Sequence, residues 1–229
     1  DESAALVKTL ERLLDEGGVQ GRSVAAELLS KGYRTWRPHL ASARGLIRRL
    51  FSRSMENASA ATEPNRFHSA LMLLGLEEPR AFCSAMGEQA VLLEPGMERT
   101  RRAAISAIVS LVRMRGASLE AELPLFVDTV MKPLDPSVPQ LREGSLSVST
   151  AALRELVRRY PMMHFNHPTQ RLAVGTVDGV VLLYDLRTAT TWRILQGHQR
   201  AIPALSFSAA GDWVGALGGH PQAKTPNID

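Results

Sequence analysis

The chain has 229 residues, of which 45% are hydrophobic and 22% are charged, and its formal net charge is +4 at pH 7. This apolar content is that of an ordinary globular protein and is enough to bury a sizeable core. Cys83, the one cysteine, excludes an internal disulfide framework and a multi-cysteine metal site, and without an apolar run of about eighteen residues the sequence predicts no membrane-spanning helix.

The first 160 residues predict a series of antiparallel helices. Leucines in the first predicted helix recur at helical spacing on one face, and Gly17–Gly18 ends that helix. A third helix is predicted from Pro38 to Arg53, followed by a small polar loop over residues 54–64. Further helices are predicted over residues 66–75, 79–93, 97–115, 118–131 and 140–159.

Helices of this length, joined by short turns, predict an α-solenoid of the armadillo or HEAT kind over residues 1–160. Such a region presents an extended surface built from stacked helix pairs. The sequence shows no clear repeat at the period of roughly 40–47 residues that these families have, so the prediction depends on helix pairing alone. A compact, irregular helical bundle remains the alternative.

The pattern changes at Tyr160–Pro161, after which short strand signals alternate with turn residues. Residues 161–212 predict about one and a half blades of a β-propeller, whereas a complete propeller needs several blades. Residues 213–229 are rich in glycine, proline and polar side chains and are predicted to be a disordered tail. The predicted strands contain the segments MMHF, RLAVGT, VVLLYD, TWRIL and IPALSF.

The segment 171–208, RLAVGTVDGVVLLYDLRTATTWRILQGHQRAIPALSFS, resembles a WD40 repeat. In that family a turn Asp, a second-strand Ser or Thr, a third-strand Trp and a His from a Gly-His corner form a hydrogen-bonded network. The resemblance implies a structural role for these side chains, because a partly desolvated carboxylate has to be paired. Tyr replaces the Trp here, the Gly-His corner belongs to the following blade, and neither blade holds a complete network. The matching residues are Thr176, Asp178, Tyr184, Asp185, Gly197 and His198.

The order of the elements resembles the C-terminal region of the rabconnectin-3 beta WD-repeat family. A helical segment ending in ALRELVRRYP leads directly into DGVVLLYDLRT and GHQ, and the resemblance covers roughly residues 80–212. It implies a scaffold that pairs with a DmX-like WD-repeat protein and regulates assembly of the vacuolar proton-pumping ATPase, vesicle acidification and membrane traffic. It also implies that the blades dock against WD repeats encoded upstream in the same chain.

The sequence carries no phosphate-binding P-loop, no His-Glu-x-x-His motif and no Gly-x-Ser-x-Gly motif. We therefore expect no enzyme activity, no cofactor and no metal. Two alternatives stay open, a catalytic dyad of Asp178 and His198 and a metal site at His164 and His167. Nucleic acid is not expected as a partner, because aromatic side chains are not interleaved with the arginines.

Arginines cluster along one side of the third predicted helix. They form a candidate surface for an acidic protein partner or an anionic membrane. A solvated helix face is the alternative, since charged side chains are mostly exposed in any case. The residues are Arg44, Arg48, Arg49 and Arg53.

Together these features predict a non-enzymatic interaction module in the cytoplasm, peripherally associated with vesicle membranes. The alternative is an armadillo-plus-propeller scaffold of a different trafficking or coat complex, because a fold does not fix a function. The chain begins with Asp1 and not with Met, as expected for a fragment of a longer protein.

Overall fold

The structure is a computed structural model that describes residues 2–56, 65–114 and 116–218. The chain divides into two compact units, which we call the helical unit (residues 1–153) and the strand unit (residues 154–229). A mainly helical region is followed by short antiparallel strands, which confirms the predicted fold class at this level. No described helix is both long enough and apolar enough to cross a bilayer.

The helices occupy nearly all of the first 159 residues that are described. Short 3-10 turns cover Arg37–His39, Gly116–Glu122 and Lys132–Leu134. The α-helices are α1 (Glu2–Glu16), α2 (Val19–Lys31), α3 (Tyr33–Trp36), α4 (Ala43–Glu56), α5 (Arg66–Glu77), α6 (Pro79–Ala90), α7 (Glu98–Met114), α8 (Leu123–Met131) and α9 (Pro139–Arg159).

The helical unit is built from helix pairs. Helix α1 packs on α2, α4 on α5, and α6 on α7. Successive pairs then contact each other in two rows: α4, α6 and α8 form one row, and α2, α5 and α7 form the other. Each helix therefore buries one apolar stripe inside its pair and a second stripe against the next pair, as amphipathic helices must do to leave water.

The third predicted helix begins later than expected. The chain forms the separate α3 and a 3-10 turn around Pro38, and α4 starts only at Ala43. The hydroxyl of Ser42 accepts a hydrogen bond of 3.1 Å from the amide of Gly45, which caps the new helix start. Helix α4 then continues to Glu56, and the rest of the predicted 54–64 loop lies largely outside the described residues.

The strand unit contains two antiparallel sheets. The four-stranded sheet has the order β1-β2-β3-β4, the same as the order along the chain, and the two-stranded sheet pairs β5 with β6. All the strand segments predicted up to residue 207 form strands. The strands are β1 (Met163–Asn166), β2 (Arg171–Gly175), β3 (Val180–Asp185), β4 (Thr190–Gln196), β5 (Ala204–Phe207) and β6 (Val214–Leu217).

The hairpin β5–β6 packs on one face of the four-stranded sheet through an apolar cluster. From the sheet it contains Ala173, Val181 and Leu183, and from the other side Ile202, Leu205 and Phe207. We call these six residues the strand-unit core.

Strand β6 corrects the prediction of a disordered tail from Trp213 onward. Residues 214–217 pair with β5, and the part of the tail from residue 219 lies outside the described residues. The side chains of Val214 and Ala216, at alternate positions of β6, pack against the strand-unit core. Their partial burial stabilises a segment whose composition predicted a disordered tail.

The helix interfaces predict a size limit at Gly75 in α5. A Cβ at this position would lie 2.8 Å from a ring carbon of Phe82 and 3.0 Å from a methyl of Leu111. We expect Gly75→Val to lower the free energy of unfolding by about 2 kcal/mol, because overpacking forces neighbours out of their rotamers. Gly21→Val in α2, where a Cβ meets nothing within 4 Å, should change it by less than about 0.5 kcal/mol. Urea unfolding followed by circular dichroism measures both, and equal effects would contradict the close packing at Gly75.

Candidate functional site

The turn between β2 and β3 anchors the segment that leads into β5. The hydroxyl of Thr176 accepts a hydrogen bond of 3.0 Å from the amide of Val180, which closes the turn. The carbonyl oxygen of Thr176 accepts a second bond, of 3.1 Å, from the amide of Ile202. Thr176 therefore closes this turn and joins the four-stranded sheet to the strand-unit core.

Gly179 allows this close approach. Its φ of +83° lies in the left-handed region, and a Cβ would overlap the carbonyl oxygens of His198 and Arg200. Only glycine fits both conditions. The Asp-Gly pair therefore forms a turn, and its glycine also lets the chain that follows β4 pack closely against that turn.

The side chains of Asp178 and His198 form neither a hydrogen bond nor an ion pair with each other. Asp178 is exposed, and in the described part of the chain its carboxylate has neither a hydrogen bond nor an ion pair. The His198 ring is half-buried beside Gly218, where a Cβ would overlap it. The expectation of a buried, paired turn carboxylate is therefore wrong at Asp178, because Asp178 in the Thr176–Gly179 turn is exposed to solvent. Gly197 is exposed with open space around its Cα, so nothing at this corner requires glycine.

The paired carboxylate of this unit belongs to Asp185. Its side chain is buried at the end of β3, beside the buried ring of Tyr184 in sequence. Arg187 donates to Asp185 from its backbone amide (2.9 Å), from Nε (3.1 Å) and from Nη2 (2.7 Å). These hydrogen bonds to Arg187 hold the pKa of the Asp185 carboxyl below its usual value. The pair fixes the turn between β3 and β4.

Asn166 has a structural role, because its side-chain amide joins two turns of the strand unit. Its Oδ1 accepts from the amide and the hydroxyl of Thr169, at 3.0 and 2.6 Å. Its Nδ2 donates to the carbonyl oxygens of Ser208 and Ala209, at 3.2 and 3.3 Å. This buried amide has all of its groups satisfied and connects the β1–β2 turn to the β5–β6 turn. Gly211, with φ +80°, provides the space for it.

His164 and His167 do not converge on a metal. The Nδ1 atom of His164 accepts a hydrogen bond of 3.1 Å from the amide of Phe207 and so ties β1 to β5. His167 contacts the ring of Phe165 edge-on instead. Among the described residues no three His, Cys, Asp or Glu side chains are grouped as metal ligands. Cys83, in the helical unit, is buried, and burial raises the pKa of its thiol to about 12.

The predicted arginine surface on α4 is largely neutralised by carboxylates of the same unit. Arg49, whose side chain is 30% exposed, forms ion pairs with Glu11 and Asp15 of α1, the latter at 2.9 Å. Arg53 donates to the carbonyl oxygen of Asp15 at 2.9 Å. These contacts bind α4 to α1.

Of the other two arginines, Arg44 forms an ion pair and Arg48 does not. Arg44 lies 3.0 Å from Glu88 of α6, and Arg53 also lies 2.8 Å from Glu56. Arg48 alone of the four has no hydrogen bond or ion pair to any described residue, and it lines a groove between α4, α6 and the start of α7. The prediction of a free cationic surface is therefore wrong for Arg44, Arg49 and Arg53. Their counter-charges come from Glu88 of α6, from Glu11 and Asp15 of α1, and from Glu56 of α4 itself.

Comparison with known proteins finds a short similarity. A stretch of 38 residues is 50% identical to part of Mitochondrial division protein 1 of Candida glabrata. The stretch is 17% of this chain and 5% of that protein, so the chain spans only a small fraction of this relative. No family model and no solved structure matches the chain.

The buried amide of Asn166 predicts a local stability effect. We expect Asn166→Ala to destabilise the strand unit by about 2–4 kcal/mol, because two carbonyls and a turn amide lose their partner in a buried place. Amide hydrogen exchange in β1, β5 and β6 should become at least tenfold faster. His167→Ala, in the same turn but exposed, is the control and should leave these rates nearly unchanged. Equal exchange in the two variants would show that the amide network is dispensable.

The Asp185–Arg187 pair predicts a pH-dependent contribution to stability. Because the folded-state pKa of Asp185 lies below its unfolded value of about 3.9, its contribution is complete above that pH and is lost as the pH falls through the folded pKa. Asp185→Asn should therefore cost about 1–2 kcal/mol at pH 7 and progressively less below about pH 4. Urea unfolding detected by NMR on amides of β2 and β3 measures this. Asp178→Asn is the matched control, and a loss of the same size there would contradict the assignment.

Proposed function

We propose that this chain is a non-enzymatic interaction module of a WD-repeat protein. In this proposal the sheet β1–β4 is one WD40 blade, and the hairpin β5–β6 is the first half of the next. A four-stranded antiparallel sheet with its strands in chain order is the unit from which propellers are built. A 38-residue stretch that is 50% identical to part of Mitochondrial division protein 1 supports this proposal, because a repeat unit is expected to recur in other proteins.

The observation that carries the proposal is the half-finished second sheet. β5 and β6 contribute to a strand-unit core with the first sheet, yet no described strand pairs with the outer edge of β6. A two-stranded sheet is marginal by itself, and an open edge presents unpaired N–H and C=O groups. Further strands would complete both the sheet and the cover of the core. We infer that WD repeats encoded upstream in the same protein supply them.

The helical unit supports the scaffold part of the proposal. The two rows of helices, with pair stacked on pair, are the arrangement expected of an armadillo-like or HEAT-like solenoid. Such an array offers a long surface for proteins. By its resemblance to the rabconnectin-3 beta family, we propose that the partners are a DmX-like protein and proton-pump subunits, at the cytoplasmic side of vesicle membranes.

A scaffold of a different trafficking or coat complex is the second candidate. The curated relative is named for mitochondrial division and not for proton pumping. A shared repeat unit serves many assemblies, so the short similarity is compatible with a scaffold at another membrane.

Affinity purification with matched variants tests the proposal. Leu217 of β6 and Leu93 of the helical unit are exposed to a similar extent, 65% and 60%. Leu217→Lys places a charge at the open edge and should reduce recovery of proton-pump subunits severalfold, whereas Leu93→Lys should not. Quantitative mass spectrometry of the tagged chain in cells gives both numbers. Recovery of coat subunits without pump subunits would support the second candidate, and equal recovery with both variants would contradict docking through β6.

A further inference from the structure

Strand β4 is exposed along its whole length, unlike the other strands of its sheet. All seven of its residues, TTWRILQ, are exposed, whereas β2 and β3 are mostly buried. It is the last strand in the order β1-β2-β3-β4, and no described strand pairs with its outer edge. The strand also lacks proline and lysine, residues that commonly protect an edge from further pairing. Its main chain is therefore available to another extended segment.

Two guanidinium groups are held over one indole on this strand. The Cζ atoms of Arg171 and Arg193 lie 3.4 and 4.5 Å from the ring centroid of Trp192. Trp192 occupies the irregularity in the β3–β4 register, between Thr191, which pairs with Tyr184, and Arg193, which pairs with Leu183. Stacking on an indole fixes the plane of each guanidinium and leaves its N–H edge free for an oxygen ligand.

The charge at this edge is only partly compensated locally. The buried Nε of Arg171 has no hydrogen-bond partner in the described chain, and Arg193 has no ion pair there. The Asp185 carboxylate, opposite Arg171 in the β2–β3 register, attracts Arg171 but is already hydrogen-bonded to Arg187. Arg193 is therefore the cation of this edge that has no anion among the described residues.

Apolar side chains complete the surface. Ile194 and Leu195 follow Arg193 and are 60% and 40% exposed. Neighbouring positions of a strand point to opposite faces, so an added strand would meet an apolar side chain on either face and a cation beside it. This pattern matches an extended segment in which acidic and apolar residues alternate.

We propose that β4 accepts an acidic, extended segment of a partner protein as a fifth strand, with carboxylates on the guanidiniums of Arg171 and Arg193. Main-chain hydrogen bonds supply affinity and the two arginines select for charge, as in other cases of strand addition. A second copy of this chain fits less well, because two-fold antiparallel pairing centred on Arg193 would place two arginines opposite each other. The proposal depends on β4 alone and not on the docking of β6.

Fluorescence anisotropy of the whole chain with synthetic peptides tests the proposal. The probe is a fluorescein-labelled peptide of alternating glutamate and valine, as long as β4. It should bind saturably, and more weakly at higher salt. A lysine–valine peptide should not bind. A glutamate–valine peptide that is N-methylated at alternate residues keeps its charges but cannot form the strand ladder, so it should bind at least about tenfold more weakly.

Matched charge reversals locate the site on the chain. Arg193→Glu should weaken binding of the glutamate–valine peptide by at least about tenfold. Arg102→Glu, at an exposed arginine of α7, makes the same change in net charge and should have little effect. Both positions are exposed, and circular dichroism checks that both variants fold.

Three results would overturn the proposal. Equal weakening by Arg193→Glu and Arg102→Glu would show a general charge effect. Equal binding of the N-methylated peptide would show an anion site without strand addition. Finally, sedimentation velocity could show dimers that Ile194→Glu abolishes, while the peptide does not bind. This result would assign the edge to a second copy of this chain.

Discussion

The strand unit depends on one constraint: a two-stranded hairpin cannot bury its own apolar side chains. Leu205 and Phe207 of β5 leave water only because Ala173 and Leu183 of the larger sheet lie opposite them. At roughly 25 cal/mol per Å² of apolar area buried, these contacts are the main favourable term in holding the hairpin. The polar links at Thr176, Asn166 and His164 then fix where the hairpin sits, since each joins the sheet to a single place on the segment around β5.

In the helical unit the corresponding constraint is charge balance along α4. An arginine-rich helix can pack against neighbours only where its guanidiniums find acceptors. Arg49 is the clearest case, because it lies between two carboxylates of α1 while only 30% of its side chain is exposed. Exposed pairs such as Arg44–Glu88 contribute little free energy, but they remove the cation from the set available to a partner. A positive net charge therefore does not by itself define a binding surface.

Local patterns were enough to predict the elements, and long-range contacts explain what they missed. The periodicity of apolar residues placed most helices and all strands through β5, because each of those segments carries its own pattern. The carbonyl partners of the Asn166 amide lie 42 and 43 residues away, and nothing local in the sequence marks them. Thr176 was assigned a structural role from the repeat resemblance, and its hydroxyl does close the turn.

The same reasoning explains the errors at the candidate site. The resemblance named Asp178 as the paired carboxylate, but the hydrogen bonds of Arg187 go to Asp185, seven positions further on. A sequence shows which residues are able to pair, whereas the direction in which a turn projects decides which of them do. The stacking of Arg171 on Trp192 was missed for the same reason, since these residues meet across an intervening strand.

The 42-residue separation between Asn166 and Ser208 has a consequence for biosynthesis. At translation rates of about 5–20 residues per second, the ribosome needs roughly 2 to 8 seconds to add the chain between them. During that interval the first sheet can form, but the apolar face that the hairpin later covers stays in contact with water, and the Asn166 amide has no carbonyl to bind. Nascent chains of this protein should therefore be a substrate for chaperones that recognise exposed apolar strands, and the need for them should end when β6, which completes the hairpin, has left the exit tunnel.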